Sequence, residues 1–137
     1  MTLPSTLSAH EIVARFIFEP RYVDKRSGRV KWQGFSPEQY NGTFETSVCR
    51  NTGLEETRIW ELSQTCRHPK QACARADVAV HNVHKAELMA HAAPITDFDE
   101  HAVILGWDTG DDKSQRMMAA TILANEAITL SQTSPPD

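Results

Sequence analysis

Candidate zinc ligands are concentrated in the middle of the sequence, within residues 66–91. The cysteines and histidines there are Cys66, His68, Cys73, His81, His84 and His91. Zinc prefers tetrahedral sets of thiolate and imidazole ligands, so a site formed by Cys66, Cys73, His81 and His84 is one hypothesis. Only His81 and His84 have the short spacing of zinc-finger ligands. The alternative is that Cys66 packs in a helix and the histidines lie in a solvated loop. Apart from zinc, the sequence predicts no cofactor.

A second set of residues has the chemistry to bind an anion and transfer a proton. Arg50 and Arg75 lie at the ends of predicted strands, and guanidinium groups bind phosphate or carboxylate through paired hydrogen bonds. Asp77 follows Arg75 by two residues and therefore lies on the same face of a strand. His101 begins an apolar strand and is a candidate acid or base, because imidazole titrates near neutral pH. We expect an anion pocket with His101 and Asp77 as catalytic groups, or alternatively a simple salt bridge between Arg75 and Asp77.

The segment 106–114 has the outline of a phosphate-binding loop but lacks its spacing. It follows an apolar strand, precedes a helix and ends in Lys-Ser. Its glycines are four residues apart, and the aspartates near Gly110 would compete with a phosphate at the helix N-terminus. These aspartates are expected to cap the last helix, with magnesium binding as the alternative. No other catalytic or nucleotide-binding motif occurs in the sequence.

Three residues are candidates for contact with a partner. Trp107 stands beside a turn of glycines and acids and is the tryptophan expected to be exposed, and exposed tryptophans often anchor interfaces. Arg26 and Arg29 belong to a basic stretch, residues 21–31, which could contact an acidic protein or a nucleic acid. The alternative is a solvated turn between two strands. The net charge of −4 argues against a dedicated nucleic-acid binder.

Hydrophobic patterns divide the chain into strands and helices that would position these residues. Strands are predicted at 12–18, 29–35, 43–50, 75–80 and 101–107. The first helix is expected to begin with a capping box of Thr52 and Glu55 and to end at Pro69. Further helices are predicted at 81–92 and 113–127.

This order of elements favours an α+β fold. We expect a small, mostly antiparallel sheet of about five strands, packed by two or three helices. The last strand and helix could alternatively form one parallel crossover. Residues 1–8 are expected to be a flexible N-terminus, residues 9–130 a single domain, and residues 131–137 a disordered tail.

The composition is that of one soluble domain with a core of its own. The chain has 137 residues, of which 40% are hydrophobic and 23% are charged. No apolar run approaches the roughly 18 residues of a membrane-spanning helix, and the N-terminus lacks the pattern of a secretory signal. Three cysteines do not form a complete set of disulfides. These features predict a cytoplasmic protein without membrane association.

Two functional hypotheses follow from the sequence. Because no catalytic motif occurs, the preferred hypothesis is an accessory or regulatory domain that binds another protein or a second copy of itself. The alternative is an enzyme or effector that acts on a nucleotide, a nucleic acid or another phosphate-bearing substrate. In that case the anion pocket of Arg50, Arg75, Asp77 and His101 would carry the chemistry.

Overall fold

The computed structural model describes residues 3–66 and 68–131, and seven antiparallel strands form its single sheet. The strands are β1 (Ile12–Ile17), β2 (Glu38–Tyr40), β3 (Thr43–Arg50), β4 (Ala74–Ala79), β5 (Met89–Ala92), β6 (His101–Leu105) and β7 (Ile128–Ser131). Neighbouring strands follow the order β5-β6-β3-β1-β4-β7, and β2 pairs with β3. The predicted α+β fold is confirmed, although the sheet is larger than five strands. The described strands pair only in antiparallel fashion, so the predicted alternative of a parallel crossover between neighbours is not formed.

Helices pack on both faces of this sheet. They are α1 (Glu56–Ser63), α2 (Val80–Lys85) and α3 (Ser114–Glu126). Because alternate side chains of a strand point to opposite faces, Val13 and Ile17 join one apolar cluster while Ala14 and Phe16 join another. The first cluster includes residues of α2 and α3, and the second includes Ile59 and Leu62 of α1. We refer to these as the α2–α3 face and the α1 face. None of the helices in the described ranges has the length and apolar character needed to cross a bilayer.

The predicted strand at 29–35 is wrong, because only Val30 makes a single bridge there. Residues Trp32–Phe35 form a 3₁₀ turn, and Phe35 is fully buried on the α2–α3 face. Val30 is buried in the same cluster and pairs with Val23 in a single bridge. The apolar residues of this segment therefore reflect the burial of Val30 and Phe35. The turn buries both side chains without an extended backbone.

The predicted helix at 81–92 is only half correct. Helix α2 ends at Lys85, and the chain turns at Glu87, whose φ of 63° lies in the left-handed region. Residues Met89–Ala92 then form β5, which pairs with β6. Residues 85–90 have good helix propensity, but cross-strand pairing with β6 outweighs this weak local preference.

The first helix also begins differently from the prediction. Thr52 does not cap it, because the Thr52 hydroxyl oxygen accepts the backbone N–H of Ile12 at 2.7 Å. Glu55 is the N-cap residue and makes no side-chain capping hydrogen bond. The helix ends at Ser63 and continues as a 3₁₀ turn at Gln64–Cys66, three residues before Pro69. Thr52 therefore ties the end of β3 to the start of β1 rather than starting a helix.

Several short elements were not predicted. Strand β2 forms a hairpin with β3 through Asn41 and Gly42, whose positive φ angles of 51° and 81° suit a two-residue hairpin turn. Strand β7 follows α3 and pairs with β4 at the edge of the sheet. Residues 132–137 of the predicted tail and residues 1–2 lie outside the described residues. In the predicted N-terminal segment, Leu7 is buried in the core.

Candidate ligand-binding cavity

The anion pocket predicted from the sequence is not assembled. Across neighbouring strands, Asp77 of β4 pairs with Ala14 of β1, and Ala14 pairs with Cys49 of β3. Cys49 in turn pairs with His101 of β6. Asp77 and His101 therefore share a row on the α1 face, but three strand spacings, about 14 Å, separate them. Arg50 is adjacent to Cys49 in β3 and so points to the opposite face. The catalytic roles of His101 and Asp77 stay predictions, because the shared pocket from which they were predicted is not formed.

Arg50 is occupied by contacts within the protein. Its Nε and Nη2 donate to the two carboxylate oxygens of Glu11 at 2.9 and 3.0 Å, and its Nη1 donates to the Pro4 carbonyl at 2.6 Å. The side chain is buried. These contacts attach the N-terminal segment to the end of β3, and they leave Arg50 poorly placed to bind an external anion.

Arg75 forms the salt bridge with Asp77 that was the predicted alternative to an anion pocket. Its guanidinium donates to both oxygens of Asp77 at 3.1 and 3.2 Å and contacts the Glu56 carboxylate of α1 at 2.7 and 2.8 Å. It also lies 5.2 Å from the centre of the Trp60 ring. Hydrogen bonding to Arg75 lowers the pKa of Glu56, whereas burial raises the pKa of Asp77 despite the nearby charge of Arg75. Arg75 therefore attaches α1 to the sheet.

The predicted zinc ligands do not converge. In residues 3–66 and 68–131, no three histidine, cysteine or acidic side chains are grouped so that they could hold a metal ion. Cys66 follows α1, while His81 and His84 are exposed on α2, which packs on the opposite face of the sheet. The Cys73 thiol donates to the Ile17 carbonyl at 3.3 Å. The zinc hypothesis is therefore not supported, because the sheet separates Cys66 from His81 and His84.

The predicted partner-binding residues differ in exposure. Trp107 is buried, and its indole N–H donates to the Ile104 carbonyl at 2.9 Å, so the expectation of an exposed tryptophan is wrong. Arg26 and Arg29 are exposed, and Arg29 donates to the Asn125 carbonyl at 2.8 Å. The Asp112 carboxylate accepts the backbone N–H of Ser114 at 2.9 Å, as expected of an acid at the start of the last helix.

The main cavity of the described structure opens on the α1 face where β1 and β3 separate. It extends into the gap between these strands, because its lining includes Arg15 and Val48, which alternate with residues of the α1 face. These strands pair at Val13–Arg50 and Ala14–Cys49, and the pairing stops there. The cavity has a volume of about 810 Å³, within the range of small-molecule sites. Its walls come from β1, β2, β3 and β6, from the segment after α1 and from the loop 95–98.

Arg15 lies at the gap between the separating strands. Its Nε donates to the Gly34 carbonyl and its Nη1 donates to the Ser47 carbonyl, both at 2.9 Å. Among the described residues, no carboxylate lies within 4.0 Å of this guanidinium, and Nη2 has no hydrogen-bond partner. Burial lowers the pKa of Arg15, and the charge of Glu38 acts most strongly in the opposite direction. A guanidinium has five N–H donors, so this partly desolvated cation, which lines the cavity, has donors that the described residues do not use.

Aromatic and polar side chains surround this cation. Phe18 and His68 stack with their ring centres 4.3 Å apart, and Phe98 meets His101 edge to face at 5.3 Å. The His101 Nδ1 lies 2.7 Å from the Ala93 carbonyl, which fixes the orientation of the ring. Of the predicted site residues, the cavity therefore includes His101 and Cys66.

Acidic groups are present at the cavity as well. The Tyr40 hydroxyl donates to one oxygen of Glu38 at 2.7 Å, and this hydrogen bond raises the pKa of Tyr40. Asp97 is exposed in the loop 95–98 and has a φ of 66°. Both carboxylates line the same cavity as Arg15.

The sequence offered one signal for this site that our predictions did not use. Arg15 interrupts the apolar strand Ile12–Ile17, and a charged residue inside a buried strand needs a specific partner. The separation of β1 from β3, however, is a property of strand pairing that no local pattern contains. Arg15 could therefore have been singled out, but its cavity could not.

Comparisons with protein-family models, curated proteins and solved structures found no match for the chain. The residues of the cavity are therefore the basis on which a function is proposed.

Proposed function

We propose that this protein binds a small anionic organic molecule in the cavity on the α1 face, with a carboxylate or phosphate group held by Arg15. The supporting observation is the Arg15 guanidinium, which two backbone carbonyls hold in place and which has no carboxylate partner among the described residues. Guanidinium groups are well suited to bind carboxylates and phosphates.

This proposal keeps part of the alternative hypothesis drawn from the sequence. Arg15 takes the anion-binding role first assigned to Arg50 and Arg75, since both of those are paired with acids. His101 and His68 both line the same cavity as Arg15, and His101 is the one for which the sequence predicted a catalytic role. The function that we propose is binding. Chemical conversion of the ligand would be a further step, in which His101 would act as the acid or base.

Isothermal titration with three phenyl compounds tests the proposal. We expect 3-phenylpropanoate or phenyl phosphate to bind the wild-type protein, whereas 2-phenylethylamine, which has the same ring but a positive charge, does not. Arg15→Met should weaken anion binding by at least about tenfold, the loss of one charge-assisted hydrogen bond. Arg116→Met is the matched control, because Arg116 also donates to two backbone carbonyls, those of Asp108 and Gly110, but does not line the cavity.

Arg15→Met could unfold the protein, so a second variant leaves Arg15 in place. Ile95 lines the cavity and is exposed, and Ile95→Trp would fill part of the cavity without removing a buried contact. We expect this variant to stay folded and to bind the anions more weakly. Equal affinity of the wild type, Arg15→Met and Ile95→Trp would contradict the proposal, as would absence of binding by any anion.

We propose self-association as a second function, in line with the preferred hypothesis from the sequence. Among the described strands, β7 pairs with β4 alone, so one edge of β7 has no described partner. Ile128 and Leu130 are apolar and exposed on this strand, Ile128 by 67%. Unpaired edge strands readily pair with another chain, and two copies of the same strand can pair with two-fold symmetry.

Native mass spectrometry of the untagged protein tests this second function. We expect a dimer for the wild type and a monomer for Ile128→Lys, because a charged side chain disfavours edge pairing. Met118→Lys, a change at an exposed methionine of α3, should stay dimeric. A monomeric wild-type protein would rule out self-association through β7.

A further inference from the structure

The cavity contains both signs of charge. Arg15 lies where β1 and β3 separate, and the carboxylates of Glu38 and Asp97 line the same cavity. Glu38 is the acid whose charge acts most on Arg15, yet it forms no ion pair with Arg15 within 4.0 Å. One Glu38 oxygen accepts the Tyr40 hydroxyl, and its other oxygen has no hydrogen-bond partner among the described residues.

The two carboxylates set the charge that a ligand should have. A phosphate dianion would be attracted by one arginine and repelled by two acids of the described lining. A carboxylate that also carries an ammonium group would instead meet a partner of opposite charge for each of its own charges. The described lining therefore favours a zwitterion over a multiply charged anion.

The remaining walls indicate what joins the two charged groups. They include the rings of Phe16, Phe18, Tyr40 and Phe98. Aromatic side chains in the wall of a pocket commonly contact the apolar body of a ligand. A cavity of about 810 Å³ has ample room for a phenyl or indole side chain.

We infer that the ligand is an amino acid with an aromatic side chain, or a close analogue of one. Its carboxylate would pair with Arg15, its ammonium group with Glu38, the acid whose charge acts most on Arg15, and its ring with the aromatic walls. This inference rests on the proposed function, because it assigns a ligand class to the same cavity.

The test adds L-phenylalanine to the phenyl compounds above. L-Phenylalanine and 3-phenylpropanoate differ only in the amino group, so the ratio of their dissociation constants isolates the contribution of the acids. We expect L-phenylalanine to bind about tenfold or more tightly, as one charge-assisted hydrogen bond provides. Glu38→Gln should reduce this ratio and leave the affinity for 3-phenylpropanoate equal or higher. Glu45→Gln is the matched control, since Glu45 lies opposite Glu38 in the hairpin but does not line the cavity.

The outcomes separate this inference from the proposed function. If 3-phenylpropanoate or phenyl phosphate binds as tightly as L-phenylalanine, or if Glu38→Gln leaves the ratio unchanged, the zwitterion inference is wrong and anion binding through Arg15 stands. If no compound binds, both are wrong. Both are supported if L-phenylalanine binds about tenfold more tightly than 3-phenylpropanoate, if Glu38→Gln reduces this difference, and if Arg15→Met weakens the binding of both compounds.

Discussion

Arg15 is the residue whose surroundings are hardest to explain by folding alone. A charged side chain inside an apolar strand loses hydration, and the loss is tolerated only when hydrogen bonds or an opposite charge replace the water. Two carbonyls, those of Gly34 and Ser47, provide part of this compensation. A purely structural role would be to link β1, β3 and the turn that contains Gly34. Binding through the remaining donors is the additional role that distinguishes our proposal from that alternative.

Cys66 provides a residue-scale test because it is an exposed thiol in the cavity wall. Desolvation raises the pKa of the Cys66 thiol, and the charge of Arg15 acts in the opposite direction. We expect L-phenylalanine or 3-phenylpropanoate, whichever binds, to slow alkylation of Cys66 by iodoacetamide at least threefold at saturating concentration. The rates are measured by mass spectrometry of the modified peptides.

The other cysteines serve as internal controls. Cys73 does not line the cavity, its pKa is also raised by burial, and its alkylation rate should not change with ligand. Cys49 is fully buried with a pKa of about 12, so it should stay unmodified in the folded protein. Equal protection of Cys66 and Cys73 would indicate general stabilisation rather than a ligand in the cavity.

At the scale of elements, helix α1 determines one wall of the cavity. It is a short helix, and its charged attachments are the contact of Glu56 with Arg75 and that of Arg58 with Glu100, which directly precedes β6. The segment that follows it carries His68, which stacks on Phe18, and Lys70, which pairs with Glu19 at 2.8 Å. These contacts hold the segment after α1 against the end of β1 and so fix the distance across the cavity.

The attachment of α1 predicts a pH-dependent stability. The pKa of Glu56 in the folded protein lies below its ordinary value of 4.5, because Arg75 hydrogen-bonds its charged form. The ionised group therefore contributes stability above pH 4.5, and this contribution disappears as the pH falls through the folded pKa. We expect Glu56→Gln to lower the free energy of unfolding by about 0.5–1 kcal/mol at pH 7, given the exposure of the carboxylate.

Urea unfolding at pH 7 and pH 3 measures this effect. The difference between wild type and Glu56→Gln should shrink as the pH falls, because protonation of the wild-type carboxylate removes the charge that Arg75 stabilises. Glu61→Gln, on the same helix, should change stability less than Glu56→Gln at pH 7, because Glu61 lies 3.9 Å from the exposed Arg58 whereas Glu56 lies 2.7 Å from the buried Arg75. A Glu56→Gln difference that grows on acidification would mean that the contact with Arg75 does not stabilise the charged carboxylate.

Strong local patterns explain which elements the sequence predicts. Strands β1, β3, β4 and β6 and helix α3 have runs of residues long enough to define them within a few positions. Strands β2, β5 and β7 are three or four residues long and form because a neighbouring strand offers hydrogen bonds. A propensity summed over a window of sequence does not include such a neighbour, which is why the residues of β5 were expected to be helical.

At the scale of the whole molecule, the two faces of the sheet are covered unequally. Helices α2 and α3 pack on one face, whereas the described part of the other face carries α1 and the loops around it. The cavity lies beside α1 where β1 and β3 separate. The sequence predicted a sheet packed by helices but not this arrangement. Side-chain alternation indicates which residues of a strand share a face, and not where two strands stop pairing. For the same reason it placed Arg50, Arg75, Asp77 and His101 in one pocket.

The most direct measurement of the central claim follows the Arg15 side chain itself. In a titration of isotope-labelled protein with 3-phenylpropanoate, NMR signals of the Arg15 guanidinium should shift in a saturable manner, and those of Arg116 should not. The fitted dissociation constant should agree with calorimetry and rise by at least about tenfold in Ile95→Trp, as expected when a ligand loses its site. If the Arg15 signals stay unchanged at saturation, or if Arg116 shifts equally, Arg15 is a structural link between strands and the cavity does not bind anions through it.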